Sequence, residues 1–232
     1  ISGPDVMRGE ETQIIGSAAL GLSDGVFVMP GTHSKWVHVA LGKIQDFATY
    51  MTGEVFASLK DHTILGTLME MSDFDLPAFQ KGVSAAQDRR ANLPHDLFHV
   101  RTLPLMGKLK ETETADFLSG LLIGTEIVAA LKKNEAKRVT IVGRNDLADR
   151  YEIALQAVGI SCHRAPDDIA AKGHFLIAHL LGFPIRDYQA NAVKNAVEFY
   201  PMRDEDRGRE KASLMGFDSK NRNRNRQDEA SE

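Results

Sequence analysis

The sequence predicts a mixed α/β fold, and two kinds of pattern support this prediction. Runs rich in β-branched and aromatic residues at 26–29 and 36–41 flank a short segment with proline and glycine, as in a hairpin. Apolar residues recur close to the helical period at 9–22 and, more strongly, at 114–133. Strands and helices are therefore expected to share one core.

The strands are predicted from short β-rich runs bounded by turn residues. Gly42 and Lys43 form a candidate hairpin turn, and a buried strand later in the chain ends at Gly143. The predicted strands lie at 26–29, 36–41, 44–51, 138–142 and 160–163.

The helices are predicted from apolar residues at helical spacing and from their end signals. Asp24 and Gly25 follow the first helix, and Thr52 is a candidate N-cap of the second. The predicted helices lie at 9–22, 52–68, 74–90, 114–133, 147–158 and 168–181, and residues 94–110 are ambiguous. From residue 138 onwards, the strand–helix–strand–helix order resembles half of a nucleotide-binding α/β domain.

The composition narrows the classes of partner. The chain has 232 residues, enough for one good core or two small ones, and its net charge of -4 gives no reason to expect nucleic acid. No apolar run reaches the ~20 residues of a membrane span, so no membrane partner is expected. The single cysteine, Cys162, excludes a disulfide framework and indicates a cytoplasmic location. Assembly into a homo-oligomer is left open.

The segment from Pro30 to Lys35 joins the first two predicted strands and has the composition of an anion-binding turn. Gly31 lets the backbone approach a ligand closely, and successive N–H groups can bind an anion. Thr32 and Ser34 add hydroxyl groups, and Lys35 adds a cation. An ordinary β-turn is the alternative. We interpret the segment as phosphate-binding.

Three carboxylates, Asp5, Glu10 and Glu11, lie at the beginning of the first predicted helix. An acidic group beside a phosphate-binding turn indicates phosphoryl transfer to a hydroxyl. The alternative for Glu10 and Glu11 is that they only complement the positive end of the helix dipole.

Five motifs in order resemble those of the 2-dehydro-3-deoxygalactonokinases, sugar-acid kinases of the actin/hexokinase-like superfamily. They are Arg8-Gly-Glu-Glu-Thr-Gln13, Met29-Pro-Gly-Thr-His-Ser-Lys-Trp36, Met51-Thr-Gly-Glu54, Leu59-Lys-Asp-His-Thr-Ile-Leu-Gly66 and Leu118-Ser-Gly-Leu-Leu-Ile-Gly-Thr-Glu126. The resemblance covers residues 5–182. It implies the C-terminal lobe of an actin/hexokinase-like (ribonuclease H-like) fold, with a mixed sheet flanked by helices.

The resemblance also implies an activity, namely ATP-dependent phosphorylation of 2-dehydro-3-deoxy-D-galactonate at its 6-hydroxyl in galactonate catabolism. Mg²⁺ would be carried with ATP, and no metal held by the protein alone is expected. The alternatives are a non-catalytic nucleotide-binding remnant of such a kinase and a kinase for a related sugar acid.

Two features depart from the family pattern. Family members open with an Asp-Trp-Gly-Thr-type motif, and none precedes Asp5, so residues 1–182 are expected to form the hinge and C-terminal lobe without the N-terminal lobe. Residues 183–232 have no counterpart and are expected to be an extension, largely disordered from about residue 205. The Asn/Arg-rich stretch at 220–226 could bind nucleic acid. A solvated tail is the favoured interpretation, because acidic residues follow the stretch.

The resemblance gives expected roles to individual residues, each beside a plainer interpretation. The general base is expected to be Glu10 or Glu11, and Glu10 is favoured only slightly. Arg8 would bind the substrate carboxylate, although a surface salt bridge is as good an interpretation, and Asp5 is a further substrate-binding candidate for which a capping role is favoured. The residues expected to bind the nucleotide are Gly31, Thr32, Ser34 and Lys35 for the phosphates and Gly143 for adenosine.

Several other residues are interpreted as structural. A hydrogen-bonding role is favoured for His33, and His62 is expected to be a core histidine. Gly120 and Gly124, together with Ser119, are expected to allow close helix packing. Glu126 is interpreted as a cap or a salt-bridge partner.

Overall fold

The computed structural model describes residues 3–88, 92–133, 136–143 and 145–182. The extension predicted at 183–232, with its expected disorder, lies outside the described residues.

Five strands form one mixed sheet in the order β3-β2-β1-β4-β5. Strands β1, β2 and β3 are antiparallel neighbours, whereas β4 lies parallel to both β1 and β5. The strands are β1 Gly25–Met29, β2 Ser34–Ala40, β3 Lys43–Tyr50, β4 Arg138–Ile141 and β5 Ser161–Arg164. The prediction of a mixed sheet flanked by helices is confirmed. Residues 30–33, which join the two central antiparallel strands, are named here the β1–β2 turn.

In the part of the chain that the structure describes, seven α-helices surround the sheet, and most of them match the predicted ones. They are α1 Glu10–Ala18, α2 Thr52–His62, α3 Leu76–Gln87, α4 Leu93–Leu105, α5 Thr114–Lys133, α6 Asn145–Ala157 and α7 Ile169–Leu180. Short 3₁₀ helices lie at Gly66–Leu68 and Glu111–Glu113. The ambiguous region 94–110 is therefore largely helical.

Two predicted helices are too long. Helix α1 ends at Ala18 because Gly21, with φ +77°, closes a Schellman motif in which Leu22 N–H donates to the Ser17 carbonyl. Helix α2 ends at His62 because Thr63 is extended, and its hydroxyl donates to the Leu59 carbonyl. His62 is exposed, so the expectation of a core histidine was wrong.

The sheet is buried on both faces, as its central strand shows. Side chains alternate along β1, so Phe27 packs with Ile14 and Ile169 on one face. On the other face, Val28 packs with residues of α3, α5 and α6, including Ile127. Helices α1 and α7 thus cover one face of the sheet, and α3, α5 and α6 cover the other.

Helix α5 is the central helix of the second layer. Residues Glu111–Lys132 are long and apolar enough to cross a membrane by length and composition, which the sequence analysis did not expect. However, 72% of that window is buried inside the protein, as in a core helix. A Cβ on Gly120 would lie 2.0 Å from the Phe79 carbonyl oxygen, and one on Gly124 would lie 2.8 Å from the Ala86 Cβ. The expected close packing at these two glycines is confirmed.

Candidate active site

A cleft of about 970 Å³ opens where the parallel strands β1 and β4 end. Its walls are the β1–β2 turn, the beginning of α1, residues 142–143 after β4, and the segment before α7. Ligands of α/β sheets commonly bind beyond the carboxyl ends of the strands. This cleft is therefore the candidate site.

The β1–β2 turn is held by the beginning of α2. The Glu54 N–H donates to the Thr32 carbonyl at 3.0 Å. A Cβ on Gly53 would lie 2.5 Å from the Gly31 carbonyl oxygen, so only glycine allows the helix to come this close. Gly31 itself has no atom within 4 Å of the position of a Cβ. The turn therefore rests on α2 and leaves its glycine open towards the cleft.

Lys35 and Glu10 meet inside the cleft. The Lys35 Nζ lies 3.6 Å from Glu10 Oε1, and the lysine side chain is only 7% exposed. The ammonium also donates to the His33 carbonyl at 3.2 Å. A cation from β2 and a carboxylate from α1 therefore lie next to each other in the cleft.

Glu10 is held in its ionised form. Burial by itself would raise its pKa, but hydrogen bonds from the backbone N–H groups of Glu10 and Arg8, together with Lys35, outweigh burial and lower the pKa of Glu10 below its ordinary value of 4.5. The Arg8 N–H lies 2.7 Å from Glu10 Oε2. At neutral pH this carboxylate can therefore accept a proton.

The family model of 2-keto-3-deoxy-galactonokinase matches residues 1–177 of the chain. The chain belongs to this family. The name denotes, in alternative nomenclature, the sugar-acid kinases whose motifs the sequence resembles, and the predicted family is confirmed.

Relatives of known name support the assignment to the 2-keto-3-deoxy-galactonokinase family. The 2-dehydro-3-deoxygalactonokinase of Escherichia coli (strain K12) is 40% identical over 178 residues, which are 75% of this chain and 60% of that protein. The probable 2-dehydro-3-deoxygalactonokinase DgoK1 of Rhizobium meliloti (strain 1021) is 38% identical over 174 residues, which are 73% of this chain and 57% of that protein. The chain thus spans about 60% of the length of these relatives.

A solved structure from the same family has the same fold. The crystal structure of a candidate 2-dehydro-3-deoxygalactonokinase from Sinorhizobium meliloti matches with a TM-score of 0.71 and 36% identity. The match covers 81% of this chain and 62% of that chain. This likeness agrees with the expected actin/hexokinase-like fold.

The structure separates the two glutamates that the family motif places side by side. Glu10 lines the cleft, whereas Glu11 is exposed and does not line it. Glu11 Oε2 instead accepts a hydrogen bond from the Gly9 N–H at 2.8 Å. Glu11 therefore fits the alternative interpretation, in which it only complements the positive end of the helix dipole.

The two substrate-binding candidates also differ in position. Arg8 is exposed and lines the cleft. Asp5 does not line it, because both of its carboxylate oxygens bond Thr49, at 2.6 Å to the hydroxyl and 2.7 Å to the backbone N–H. Asp5 thus ties the N-terminal segment to β3 and caps no helix in these contacts. Gly143 lies in the cleft, across from Pro30.

Ser34 is not where the family resemblance suggested. It is fully buried, and its hydroxyl donates to Glu126 Oε1 at 2.7 Å. The expectation that this hydroxyl faces a nucleotide is corrected, because side chains alternate along β2 and only Lys35 points into the cleft. His33, at the rim, pairs with Glu54, in agreement with its structural interpretation.

Glu126 differs most from its predicted role. The residue is 3% exposed, and its carboxylate accepts hydrogen bonds from Ser34, from the Trp36 indole at 2.7 Å, and from the Tyr151 hydroxyl at 2.8 Å. The Thr52 side chain also favours the ionised form of this carboxylate. Burial raises the pKa of Glu126, and these hydrogen bonds offset the rise only in part. The glutamate is neither a cap nor part of an ion pair in these contacts.

Thr52 also differs from its expected role. Met51 is the N-cap residue of α2, and Thr52 is the first helical residue, with its side chain directed to Glu126. One sequence signal could have identified this cluster. Glu126 follows the long apolar stretch of α5, where an ordinary surface acid is not expected.

A second, smaller cavity of about 170 Å³ lies behind the β1–β2 turn. It shares Gly31 with the cleft, and its walls are mostly apolar, with Phe56, Leu122, Ile123 and Leu147 among them. Such walls suit a flat apolar group.

The carboxylates lining the cleft are Glu10 and Asp167. Mg²⁺ is usually held by one or two carboxylates together with substrate phosphates and water. This donor set fits a magnesium ion that arrives with a nucleotide. Within the described ranges, no cluster of three or more His, Cys, Asp or Glu side chains could hold a metal.

Proposed function

We propose that this chain contains the phosphate-binding turn and the catalytic base of an ATP-dependent kinase in the cytoplasm. Its substrate is 2-dehydro-3-deoxy-D-galactonate, phosphorylated at the 6-hydroxyl in galactonate catabolism. The observation that carries the proposal is that the β1–β2 turn and Glu10 line one cleft, with Lys35 3.6 Å from the carboxylate. The family and the names of its relatives support the choice of substrate.

The nucleotide would lie across the β1–β2 turn. Gly31 and Thr32 present backbone to the phosphates, and Lys35 supplies a positive charge. Gly143 allows the nucleotide to pass close to the end of β4. Because the smaller cavity shares Gly31 with the cleft, the purine ring would lie in that cavity while the phosphates occupy the turn.

Glu10 would act as the general base. It takes the proton of the sugar 6-hydroxyl, whose oxygen forms a bond to the γ-phosphorus as the bond to the bridging oxygen of ADP breaks. Because its pKa is lowered, Glu10 is ionised at neutral pH, which is the form that a general base requires. Mg²⁺ bound with ATP supplies charge neutralisation at the phosphates, and Asp167 is the carboxylate free of the Lys35 contact that could help to hold it.

Arg8 would recognise the sugar acid. Its guanidinium lies on the same wall as Glu10, and its planar fork matches a carboxylate. Binding the acid end of the substrate at Arg8 would leave the hydroxyl end free to reach Glu10.

The test is an assay of ADP release with the sugar acid and ATP, using the full-length gene product. We expect turnover in the wild type and its loss in Glu10→Gln. A folded wild-type protein that binds ATP and the sugar acid but releases no ADP would contradict the proposal.

A nucleotide-binding protein without turnover is the second candidate, because the β1–β2 turn and the smaller cavity would suffice to bind a nucleotide. It would bind ADP in a calorimetric titration and release none from ATP. A kinase for a related sugar acid would be recognised by a panel of sugar acids, in which another compound would be turned over faster.

A further inference from the structure

Glu126 is tied to the strand that leaves the β1–β2 turn. Ser34, which donates to its Oε1, directly follows the turn in the chain. Trp36, two residues further along the same strand, donates to the same oxygen. One buried carboxylate therefore fixes the beginning of the strand that leaves the turn.

The donors around Glu126 fix the orientation of its carboxylate. An indole N–H can only donate, so the Trp36 contact requires Glu126 Oε1 to remain an acceptor. Oε1 receives Ser34 as well, while Oε2 receives Tyr151 from α6. The carboxylate cannot turn towards other partners without leaving a buried donor unpaired, which is costly.

We propose that Glu126 is a positioning residue for nucleotide binding, holding the β1–β2 turn in its phosphate-binding conformation through Ser34. This proposal rests on the proposed function, because it presumes that the turn binds the phosphates of a nucleotide. Glu126 touches neither the cleft nor the smaller cavity, so its effect passes through the turn.

The proposal is tested by calorimetric titration of the full chain with ADP and, separately, with the sugar acid. Glu126→Gln keeps the shape of the side chain but replaces one acceptor oxygen by a donor. We expect the Kd for ADP to rise about tenfold, the effect of losing one or two hydrogen bonds to a charged group. The Kd for the sugar acid should change less than twofold, and a purely structural defect would not make this distinction.

Ser34→Ala provides a second route, which also serves if Glu126→Gln fails to fold. It removes the donor between Glu126 and the turn, and it should weaken ADP binding in a chain that still unfolds cooperatively. The matched control is Thr125→Ala in the same helix. The Thr125 hydroxyl donates to the Leu121 carbonyl and has no path to the turn, so ADP binding should stay as in the wild type.

Trp36 gives a spectroscopic readout of the same contact. It is the only tryptophan of the chain and donates to Glu126 beside the turn. Its emission should respond to ADP in the wild type, and the response should shrink in Ser34→Ala but not in Thr125→Ala.

The outcomes separate the two proposals. If the wild type binds ADP and folded Glu126→Gln and Ser34→Ala variants bind it equally well, the positioning role is overturned while the proposed function stands. If the wild type binds no ADP, both are overturned.

Discussion

The Lys35 ammonium lies 3.6 Å from the Glu10 carboxylate, although the two residues come from different elements on opposite walls of the cleft. This contact links the two halves of the proposed chemistry. The same cation that is proposed to bind the nucleotide phosphates also favours the ionised form of the proposed base. The pH dependence of the reaction should therefore report on it.

Lys35→Met should move the acidic limb of the kcat/KM profile to higher pH. Removing the cation takes away one of the effects that lower the pKa of Glu10, while the burial that raises it remains. The base is then protonated at a higher pH than in the wild type, and activity is lost earlier as the pH falls. The profile is measured between about pH 4 and pH 7 under saturating ATP. An acidic limb at the same pH as in the wild type would mean that Lys35 does not influence the pKa of the base.

The same contact predicts a change in stability with pH. A carboxyl whose folded pKa lies below its unfolded value stabilises the protein above the unfolded pKa and loses this contribution as the pH falls through the folded one. The contribution of Glu10 should thus be present above about pH 4.5 and decline below it. Glu10→Gln should flatten the decline of the unfolding free energy over this acidic window, as measured by urea titrations at several pH values.

Glu10→Gln and Glu11→Gln should have very different effects on turnover. Glu10 lines the cleft, whereas Glu11 bonds the Gly9 N–H outside it. Loss of a positioned general base costs about 10² to 10⁴ in rate. Glu11→Gln should stay within about threefold of the wild type because it removes only a negative charge near the helix end, and the amide oxygen can still accept from the Gly9 N–H. Equal losses in both variants would argue against Glu10 as the specific base.

Much of the fold could be predicted because local patterns and packing agree. Helix α5 has a strong apolar pattern, and Gly120 within it permits the close approach to α3 that the structure shows. Helix α4 was ambiguous for a physical reason. It contains Pro104 near its end, and Val100 is its one fully buried residue, so its apolar periodicity is weak.

The site was less predictable because its contacts are tertiary. The pairing of Lys35 with Glu10 depends on how α1 docks beside the β1–β2 turn, which no local pattern specifies. The orientation of Ser34 could have been inferred. It lies two residues before Trp36 on the same strand, so a buried tryptophan predicts a buried serine. The prediction that Ser34 binds a phosphate followed the family motif and not this alternation.

Gly173→Ala should lower turnover through the position of α1. A Cβ on Gly173 would lie 1.9 Å from the Thr12 carbonyl oxygen of α1, so the helix that carries Glu10 must move away. Displacement of the base should reduce kcat at least tenfold, since small errors in position are costly. Overpacking should also cost about 1–3 kcal/mol in unfolding free energy.

Ala171→Gly is the matched control for this loss of stability. It lies on the exposed side of α7 and weakens the helix by about 1 kcal/mol through propensity alone, without pushing on α1. Its kcat should remain close to that of the wild type. A similar fall of kcat in both variants would mean that stability, and not the position of α1, explains the effect.

Leu147→Trp should distinguish binding of the purine from binding of the phosphates. Leu147 lines the smaller cavity of about 170 Å³ but does not line the cleft, so an indole there would fill the proposed purine site and leave the turn intact. We expect the Kd for ADP to rise at least tenfold, while inorganic tripolyphosphate, which has no base, should bind as it does to the wild type. Gln156→Trp places the same side chain on the exposed face of α6 and should affect neither ligand. If ADP binds unchanged to Leu147→Trp, the base lies elsewhere, and the large cleft must hold the whole nucleotide.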